Sequence, residues 1–390
     1  MNENTPFTAC YLILTDKCNL RCKYCYEDFN KCSEGHMTFD TAKKSADFLI
    51  DNAIKTDIRK LSWTFFGGEP LLNIDVMIKF LRYSLDKANK YNLKLNFSLV
   101  TNGTIYSNQY EKFLLEWYKE VKHINIYLST DGIPEVHDKN RVDVNGKSTS
   151  GIVSENILKL KKFFKQNQIE TYSLRTNSVI TRDTISKVFL SYKYLRQLGI
   201  NESTFQLSHE EDWNDNDTSI YIEQLSLISD FIYDQCIKSG NLIPYKKANL
   251  IIGDITESIC EAGKALCAIS PSGDIYPCGR AYSSNRNLSM GNVTDGIIDN
   301  DSRKPFSDAC RSDMHAGNIS CGKCENTACK VCMVLNHQQY NDVLKCNPGL
   351  CSIYKAKGNF IIETKKKFEK LSQKLNYDKC NEMTFFKAIN

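Results

Sequence analysis

The chain has 390 residues, a formal net charge of +4 and 42% hydrophobic residues. This length accommodates two or three domains and a large core. No apolar run is long enough to span a bilayer, and the N-terminus MNENTPF lacks the charged and apolar regions of a signal peptide. The Lys and Arg residues are spread along the chain, which is typical of a solvated surface. We therefore expect a cytoplasmic protein with neither a membrane nor a nucleic acid as its partner.

The 17 cysteines are concentrated in two regions of the chain. Five precede residue 33, and ten lie between Cys260 and Cys351. A reducing cytosol disfavours a disulfide framework, so metal binding explains these groups better. Cys10, Cys32, Cys236 and Cys380 stand apart from the paired motifs and are expected to be packed thiols.

Up to about residue 240, β-like segments alternate with amphipathic helical segments. The predicted strands are 8–14, 61–66, 95–101, 124–129, 172–180 and 203–207. The predicted helices are 39–54, 76–88, 109–119, 154–164, 184–198 and 220–238. Repeated βα units predict an α/β fold, a partial (β/α)6 TIM-like barrel whose functional residues follow the strand ends. We expect this barrel over residues 1–239, a cysteine-rich domain over 240–355 and a helical tail over 356–390.

Directly after the first predicted strand, Cys18, Cys22 and Cys25 stand in C-x3-C-x2-C spacing. Three thiolates in one loop can bind three irons of a 4Fe-4S cluster and leave the fourth iron open to a small molecule. A zinc knuckle is the alternative, and it would need a fourth ligand, for which Cys32 is the nearby candidate.

Other strand ends carry polar motifs. The second strand is followed by GGEP, the third by TNGT, and the fourth ends in STDG. Glycines allow close backbone approach, carboxylates bind an ammonium group or a ribose, and an arginine suits a carboxylate. Each motif is also typical of an ordinary turn. The candidate binding residues are Gly67, Gly68, Glu69, Ser129, Asp131 and Arg175, with Arg141 as the alternative to Arg175.

CNLRCKYC, GGEP and STDG, in this order, resemble a radical S-adenosylmethionine (radical SAM) enzyme. The resemblance implies that Cys18, Cys22 and Cys25 hold a 4Fe-4S cluster whose open iron binds SAM. It implies that GGEP receives the amino group of SAM, that Ser129 and Asp131 bind its ribose, and that Tyr24 lies near its adenine. Cleavage of SAM then yields a 5′-deoxyadenosyl radical.

The cysteine-rich region resembles the SPASM extension of that family, which holds two auxiliary 4Fe-4S clusters. It has the C-x12-G-x4-C element at Cys260, Gly273 and Cys278, but its next group runs C-x2-C-x4-C-x2-C instead of C-x2-C-x5-C-x3-C. Two zinc ribbons are the alternative. The resemblance implies two clusters. The first would be held by Cys260, Cys267, Cys278 and Cys332. The second would be held by Cys321, Cys324, Cys329 and either Cys346 or Cys351.

SPASM proteins mostly modify ribosomally made peptides, so the resemblance implies a RiPP peptide maturase that forms thioether cross-links from Cys. A low-potential donor such as flavodoxin or ferredoxin would supply electrons. Anaerobic sulfatase maturases, which make formylglycine, are the alternative, but the position of their proton-accepting Asp is here Gly279. A non-catalytic iron-sulfur or zinc protein is the alternative from another class. No catalytic acid or base is assigned, and His137 and His209 are expected to be solvated loop residues.

Overall fold

The fold was examined in a computed structural model, which describes residues 6–27, 35–170, 174–246, 248, 260–324, 326, 329 and 331–375. The strands are β1 (Ala9–Ile13), β2 (Lys60–Phe66), β3 (Lys94–Thr101), β4 (Ile126–Ser129), β5 (Leu174–Ile180), β6 (Glu202–Leu207), β7 (Leu266–Ile269), β8 (Ile275–Tyr276), β9 (Gly291–Asn292), β10 (Ile297–Ile298), β11 (His315–Ala316) and β12 (Ile319–Ser320).

The helices follow the predicted alternation with the strands. They are α1 (Phe39–Lys55), α2 (Ile74–Asn89), α3 (Asn108–Val121), α4 (Pro134–Asn140), α5 (Ser150–Gln166), α6 (Val188–Gln197), α7 (Asp215–Ser239), α8 (Ile243–Lys246), α9 (Gly279–Ser284), α10 (Asn300–Ser307), α11 (Met333–Tyr340) and α12 (Pro348–Lys374). The chain forms two compact units. Unit 1 comprises residues 1–130, 137–174 and 261–309, and unit 2 comprises residues 131–136, 175–260 and 310–390.

In unit 1 the strands are arranged in the order β4-β3-β2-β1-β7-β8. Strands β4, β3, β2, β1 and β7 are parallel to one another, and β8 returns antiparallel to β7 through a hairpin that contains Gly273. The sequence did not predict that β7 pairs with β1. Because of this pairing, residues 261–309 belong to unit 1, whereas the predicted division places them in a separate domain.

The core of unit 1 follows from side-chain periodicity. Side chains of β2 and β3 alternate between buried and partly exposed positions, as expected when both strands cover one core. The buried rings of Phe65 and Phe97 stack 5.8 Å apart, and Trp117 of α3 packs edge-on against both. Helix α1 starts where the Thr38 hydroxyl accepts a hydrogen bond from the Thr41 amide.

Unit 2 contains the parallel pair β5 and β6, and its helix α7 packs against α6 and α12. The parallel βα units of both units confirm the α/β partial-barrel class. Helix α12 begins at Pro348, capped by Asn347, so the helix starts earlier than the predicted tail at 356. The predicted tail beyond residue 375 lies outside the described residues, and so does Cys32. Among the helices in the described ranges, none has the length and apolar character of a membrane span.

Candidate cysteine-loop site

The loop after β1 brings Cys18, Cys22 and Cys25 together at one place. All three side chains are half-buried, and the Cys25 amide donates to the Cys22 carbonyl at 3.1 Å. Burial raises the pKa of Cys18 and of Cys25 to about 12, and the charges of the neighbouring thiols add to this shift. A metal cluster at this point would displace the thiol protons, as thiolate ligation requires. Three converging thiols fit the three protein ligands of a cluster with one open iron.

The two glycines of GGEP lie against the backbone of this cysteine loop. A Cβ at Gly67 would lie 2.4 Å from the Thr15 carbonyl oxygen, and a Cβ at Gly68 would lie 2.5 Å from the Lys17 carbonyl oxygen. Gly67 also has a φ of 127°, a region that favours glycine. The Gly68 amide donates to the Thr15 carbonyl at 2.9 Å. The sequence predicted that these glycines let the backbone approach a ligand. The structure shows that they also leave room for the loop that carries the cysteines.

Glu69 is fully buried, and its carboxylate holds the ends of two strands. It accepts hydrogen bonds from the Leu71 amide at 3.0 Å, the Thr101 hydroxyl at 2.8 Å and the Asn102 amide at 2.7 Å. Burial raises the pKa of Glu69 to about 7, although these hydrogen bonds lower it in part. The sequence predicted a carboxylate that receives an ammonium group. The structure gives Glu69 a further task, which is to fix the position of Asn102 beside the cysteine loop.

The two arginines left open by the sequence lie in different environments. Arg141 is buried, its Nη1 lies 3.9 Å from Cys22 Sγ, and its guanidinium lies 5.2 Å from the ring centre of Tyr24. Arg175 is the second residue of β5 and pairs at 2.7 Å with Glu202, the first residue of β6. It therefore lies at the amino end of its strand, whereas binding residues of parallel βα units follow the carboxyl ends. The geometry favours Arg141.

The STDG motif and His137 are more buried than the sequence suggested. Ser129 ends β4 and is half-buried. Asp131 is buried in unit 2, where it accepts a hydrogen bond from the Val179 amide at 3.0 Å. His137 is fully buried between the hydroxyls of Thr130 and Thr149, at 3.0 and 3.1 Å. The expectation of a solvated His137 is therefore wrong, since two hydroxyls satisfy both ring nitrogens. His209 is half-buried.

Helix α9 docks on the cysteine loop through contacts that the sequence did not reveal. Arg280 stacks on the ring of Tyr26 at 4.5 Å, and the Tyr282 hydroxyl bonds the Asp16 carboxylate. Burial and the Asp16 charge raise the pKa of Glu27 to about 8. In the sequence, this contact is signalled by acidic residues on both sides of the cysteine motif TDKCNLRCKYCYED, namely Asp16 before it and Glu27 after it.

The two thiols of the cysteine-rich region that lie in unit 1 occupy different positions. Cys278 immediately precedes α9 and is half-buried. Cys267 of β7 is buried beside Cys10 of β1, its partner in the strand register. Burial and the neighbouring Cys267 raise the pKa of Cys10 well above its usual value. Cys10 was expected to be a packed thiol, and its burial agrees with that expectation.

Unit 2 gathers a second group of thiols from residues 321–351. Burial raises the pKa of Cys329 to about 12, with contributions from the charges of the nearby Cys351, Cys321 and Cys324. Cys346 is buried, and it lies near Cys321 and Cys329. Within the described residues, no three His, Cys, Asp or Glu side chains are close enough to ligate one and the same metal ion. A 4Fe-4S cluster makes a different demand, because each of its thiolates binds a different iron.

The cysteine loop lies at the carboxyl end of the first strand of the parallel βα units and packs against GGEP. These features define an α/β protein with a loop of three cysteines that suits an iron-sulfur cluster. The sequence matches the radical SAM superfamily over residues 12–176. Residues 12–176 therefore form a radical SAM domain, and the cysteine-rich C-terminal region fits the SPASM type.

Curated relatives cover most of the chain. A cysteine-type anaerobic sulfatase-maturating enzyme of Clostridium novyi (strain NT) is 25% identical over 285 residues, which cover 68% of this chain and 71% of that protein. The radical SAM cyclopropyl synthase TigE of Paramaledivibacter caminithermalis is 25% identical over 383 residues, which cover 92% of this chain and 74% of that protein.

A solved structure shares the fold. Native anSMEcpe with bound AdoMet and Cp18Cys peptide superposes with a TM-score of 0.69 at 23% identity, covering 95% of this chain and 99% of that chain. The agreement extends over almost the whole length of both chains, so the fold is shared.

Proposed function

We propose that the protein is a radical SAM enzyme that oxidatively modifies a peptide. The observation that carries this proposal is the convergence of Cys18, Cys22 and Cys25 on a loop at the carboxyl end of β1, within the domain that matches the superfamily. When bound there, the 4Fe-4S cluster supplies the electron that cleaves SAM to the 5′-deoxyadenosyl radical. The protein's part is to bind, orient and shield the reactants.

Different residues around the cysteine loop would bind different groups of SAM. Arg141, a permanent cation beside Cys22, would hold the carboxylate of SAM, and its contact with Tyr24 places an aromatic ring next to it. Ser129 at the end of β4 would bond the ribose. Asp131 accepts the Val179 amide and would orient the turn that follows β4. The backbone of Gly67 and Gly68 would contact the amino group of SAM, and so would the carboxylate of Glu69.

We propose two auxiliary 4Fe-4S clusters on the remaining cysteines. The group in unit 2, formed by Cys321, Cys324 and Cys329 with Cys346 or Cys351, has mutually neighbouring thiols, which supports one cluster there. The other cluster stays a prediction from the motif and is assigned to Cys260, Cys267, Cys278 and Cys332. Flavodoxin or ferredoxin is the proposed electron donor.

For the substrate we favour a ribosomal precursor peptide in which thioethers are formed from Cys. The favouring observation is at Gly279, the position of the proton-accepting Asp expected of a sulfatase maturase. A Cβ at Gly279 would lie 3.2 Å from the ring of Phe66, so even a methyl group would be tight there. A base for formylglycine chemistry would have to come from another residue.

Sulfatase maturation is the second candidate. It is favoured by the 25% identity to the sulfatase-maturating enzyme of C. novyi, over 68% of this chain. The two candidates share the radical SAM step and differ in the fate of the substrate thiol.

Anaerobic incubation with SAM and a strong reductant separates these functions. We expect 5′-deoxyadenosine, and a loss of two hydrogens per site from a Cys-rich peptide encoded beside the gene, with its free thiols also lost. Loss of two hydrogens together with replacement of sulfur by oxygen in a Cys-containing sulfatase peptide would instead establish the second candidate. A protein with its full iron content that forms no 5′-deoxyadenosine would be a non-catalytic iron-sulfur protein, and one that holds zinc instead would be a zinc protein.

A further inference from the structure

A ring of three side-chain hydrogen bonds joins the turn after β3 to the cysteine loop. Asn102 Nδ2 donates to Asn19 Oδ1 at 2.8 Å, and Asn19 Nδ2 donates to Thr104 Oγ1 at 2.8 Å. The Thr104 hydroxyl closes the ring by donating to Asn102 Oδ1 at 2.6 Å. Each group both donates and accepts, so the bonds polarise one another in the same direction.

The ring fixes which way the Asn102 amide faces. The Thr104 backbone N–H also points to Asn102 Oδ1, at 3.0 Å, and a backbone N–H can only donate. The oxygen of Asn102 must therefore face Thr104, and its nitrogen must face the cysteine loop. The Asn102 backbone is held separately, because its N–H donates to the buried Glu69 carboxylate at 2.7 Å.

The second N–H of the Asn102 amide points to a cysteine sulfur. Asn102 Nδ2 lies 3.8 Å from Cys18 Sγ, and the Leu20 amide approaches the same sulfur at 3.4 Å. Asn102 is buried, so little water competes for this bond. A neutral donor held at a fixed angle to a thiolate sulfur stabilises the more negative, reduced state of an attached iron-sulfur cluster, and this raises its reduction potential.

We propose that Asn102 is a positioning residue that sets the reduction potential of the cluster on Cys18, Cys22 and Cys25, through its N–H···S bond and the ring with Asn19 and Thr104. This inference rests on the proposed function. Asn102 thereby controls how strong a reductant is needed before SAM can be cleaved, without itself contacting the reacting atoms.

The test is a redox titration followed by electron paramagnetic resonance, with and without SAM. Only the cluster with an open iron changes its signal when SAM binds, so its midpoint is read apart from those of the auxiliary clusters. Asn102→Leu keeps the shape of the side chain and removes both N–H donors. We expect its SAM-sensitive signal to appear at a more negative potential than in the wild type, with iron content unchanged.

The matched control is Asn156→Leu. Asn156 Nδ2 donates to the Gly103 carbonyl at 3.0 Å, so this variant disturbs the same turn without altering a donor to sulfur. We expect its midpoint to equal that of the wild type. A wild-type midpoint in Asn102→Leu, or an equal shift in Asn156→Leu, would overturn the inference.

If Asn102→Leu does not fold, Thr104→Val takes its place, because it opens the ring and leaves the Asn102 amide present. We expect a smaller shift in the same direction, and a wild-type midpoint in Thr104→Val would then overturn the inference. An iron-loaded wild type whose signal does not respond to SAM would instead refute the proposed function, and with it the inference that rests on it.

Discussion

The cysteine loop of unit 1 and the cysteine group of unit 2 gather their thiols in different ways. In unit 1 three cysteines lie within eight residues, on a loop held by the backbone of GGEP and by side chains from the end of β3. In unit 2 the thiols come from residues 321–351, which include the short 3-10 helix at Cys321–Lys323 and the first turn of α12.

This difference indicates how each site depends on its metal. The loop in unit 1 is positioned by many contacts that need no metal, so it is preorganised for a cofactor that takes part in chemistry. In the group of unit 2, metal ligation would join separate segments of the chain, since Cys321 begins a short 3-10 helix and Cys351 lies in the first turn of α12. In both groups burial raises the pKa of a thiol to about 12, that of Cys18 in unit 1 and that of Cys329 in unit 2.

Replacing one cysteine in each unit should give the largest difference between the cysteine loop of unit 1 and the cysteine group of unit 2. Cys22→Ala should reduce 5′-deoxyadenosine formation by more than about 100-fold, because loss of even an outer partner of a metal ligand costs about 10–100-fold. Cys324→Ala should keep the cleavage of SAM and lose the peptide product and the iron of one auxiliary cluster. Product analysis and iron content check both variants. If Cys324→Ala abolished the cleavage of SAM, the two regions would not be separable.

The close approach at GGEP gives the next largest effect. Gly68→Ala should displace the cysteine loop, because its Cβ would lie 2.5 Å from the Lys17 carbonyl oxygen. We expect loss of the SAM-sensitive cluster signal while the auxiliary iron is kept. Gly151→Ala is the control, since its Cβ would meet nothing within 4 Å and it lies in α5, where alanine stabilises by about 0.5–1 kcal/mol. A normal signal in Gly68→Ala would mean that the loop adapts easily.

The fourth ligand in unit 2 can be resolved by a pair of variants. We expect Cys351→Ala to lose about four irons per chain and Cys346→Ala to keep them. Cys346 is buried, and its thiol donates a hydrogen bond to the Leu344 carbonyl at 3.8 Å, which a protonated, packed thiol can do and a thiolate ligand cannot. Cys351 is half-buried and lies near Cys321 and Cys324. The reverse pattern of iron loss would assign the ligand to Cys346.

The smallest expected effect concerns Asp138, whose carboxylate accepts hydrogen bonds at the start of α5. Burial opposes ionisation of Asp138, but hydrogen bonds from Ser150 and Thr149 at the start of α5 outweigh it and lower its pKa. Asp138→Ala should lower the free energy of unfolding by about 1 kcal/mol, the usual cost of a lost helix cap.

The pH dependence of this effect follows from the direction of the shift. Because the pKa of Asp138 is lower when folded, its contribution is present above the unfolded value of 3.8 and fades as the pH falls below it. Urea denaturation at pH 5 and at pH 8 should give the same difference from wild type. Glu155→Ala, which removes an exposed ion pair with Lys159, should change stability by less than about 0.5 kcal/mol. A difference that changed between pH 5 and pH 8 would exclude this role for Asp138.

The sequence predicted features that depend on local patterns. Alternating burial in β2 and β3, the Thr38 cap and the spacing of the three cysteines follow from neighbours in the chain, so the βα units and the cysteine loop were predicted from residues alone. The superfamily was recognised for the same reason, because its motifs are short and contiguous.

The tertiary structure decided what depends on residues that are distant in sequence. Arg141 and Arg175 are equivalent as permanent cations, and only the placement of one beside Cys22 and of the other beside Glu202 distinguishes them. The pairing of β7 with β1 joins residues more than 250 positions apart, and no periodicity reveals it. The ring that aims Asn102 at Cys18 likewise exists only after β3 and the cysteine loop meet, since each of its hydrogen bonds needs both partners in place.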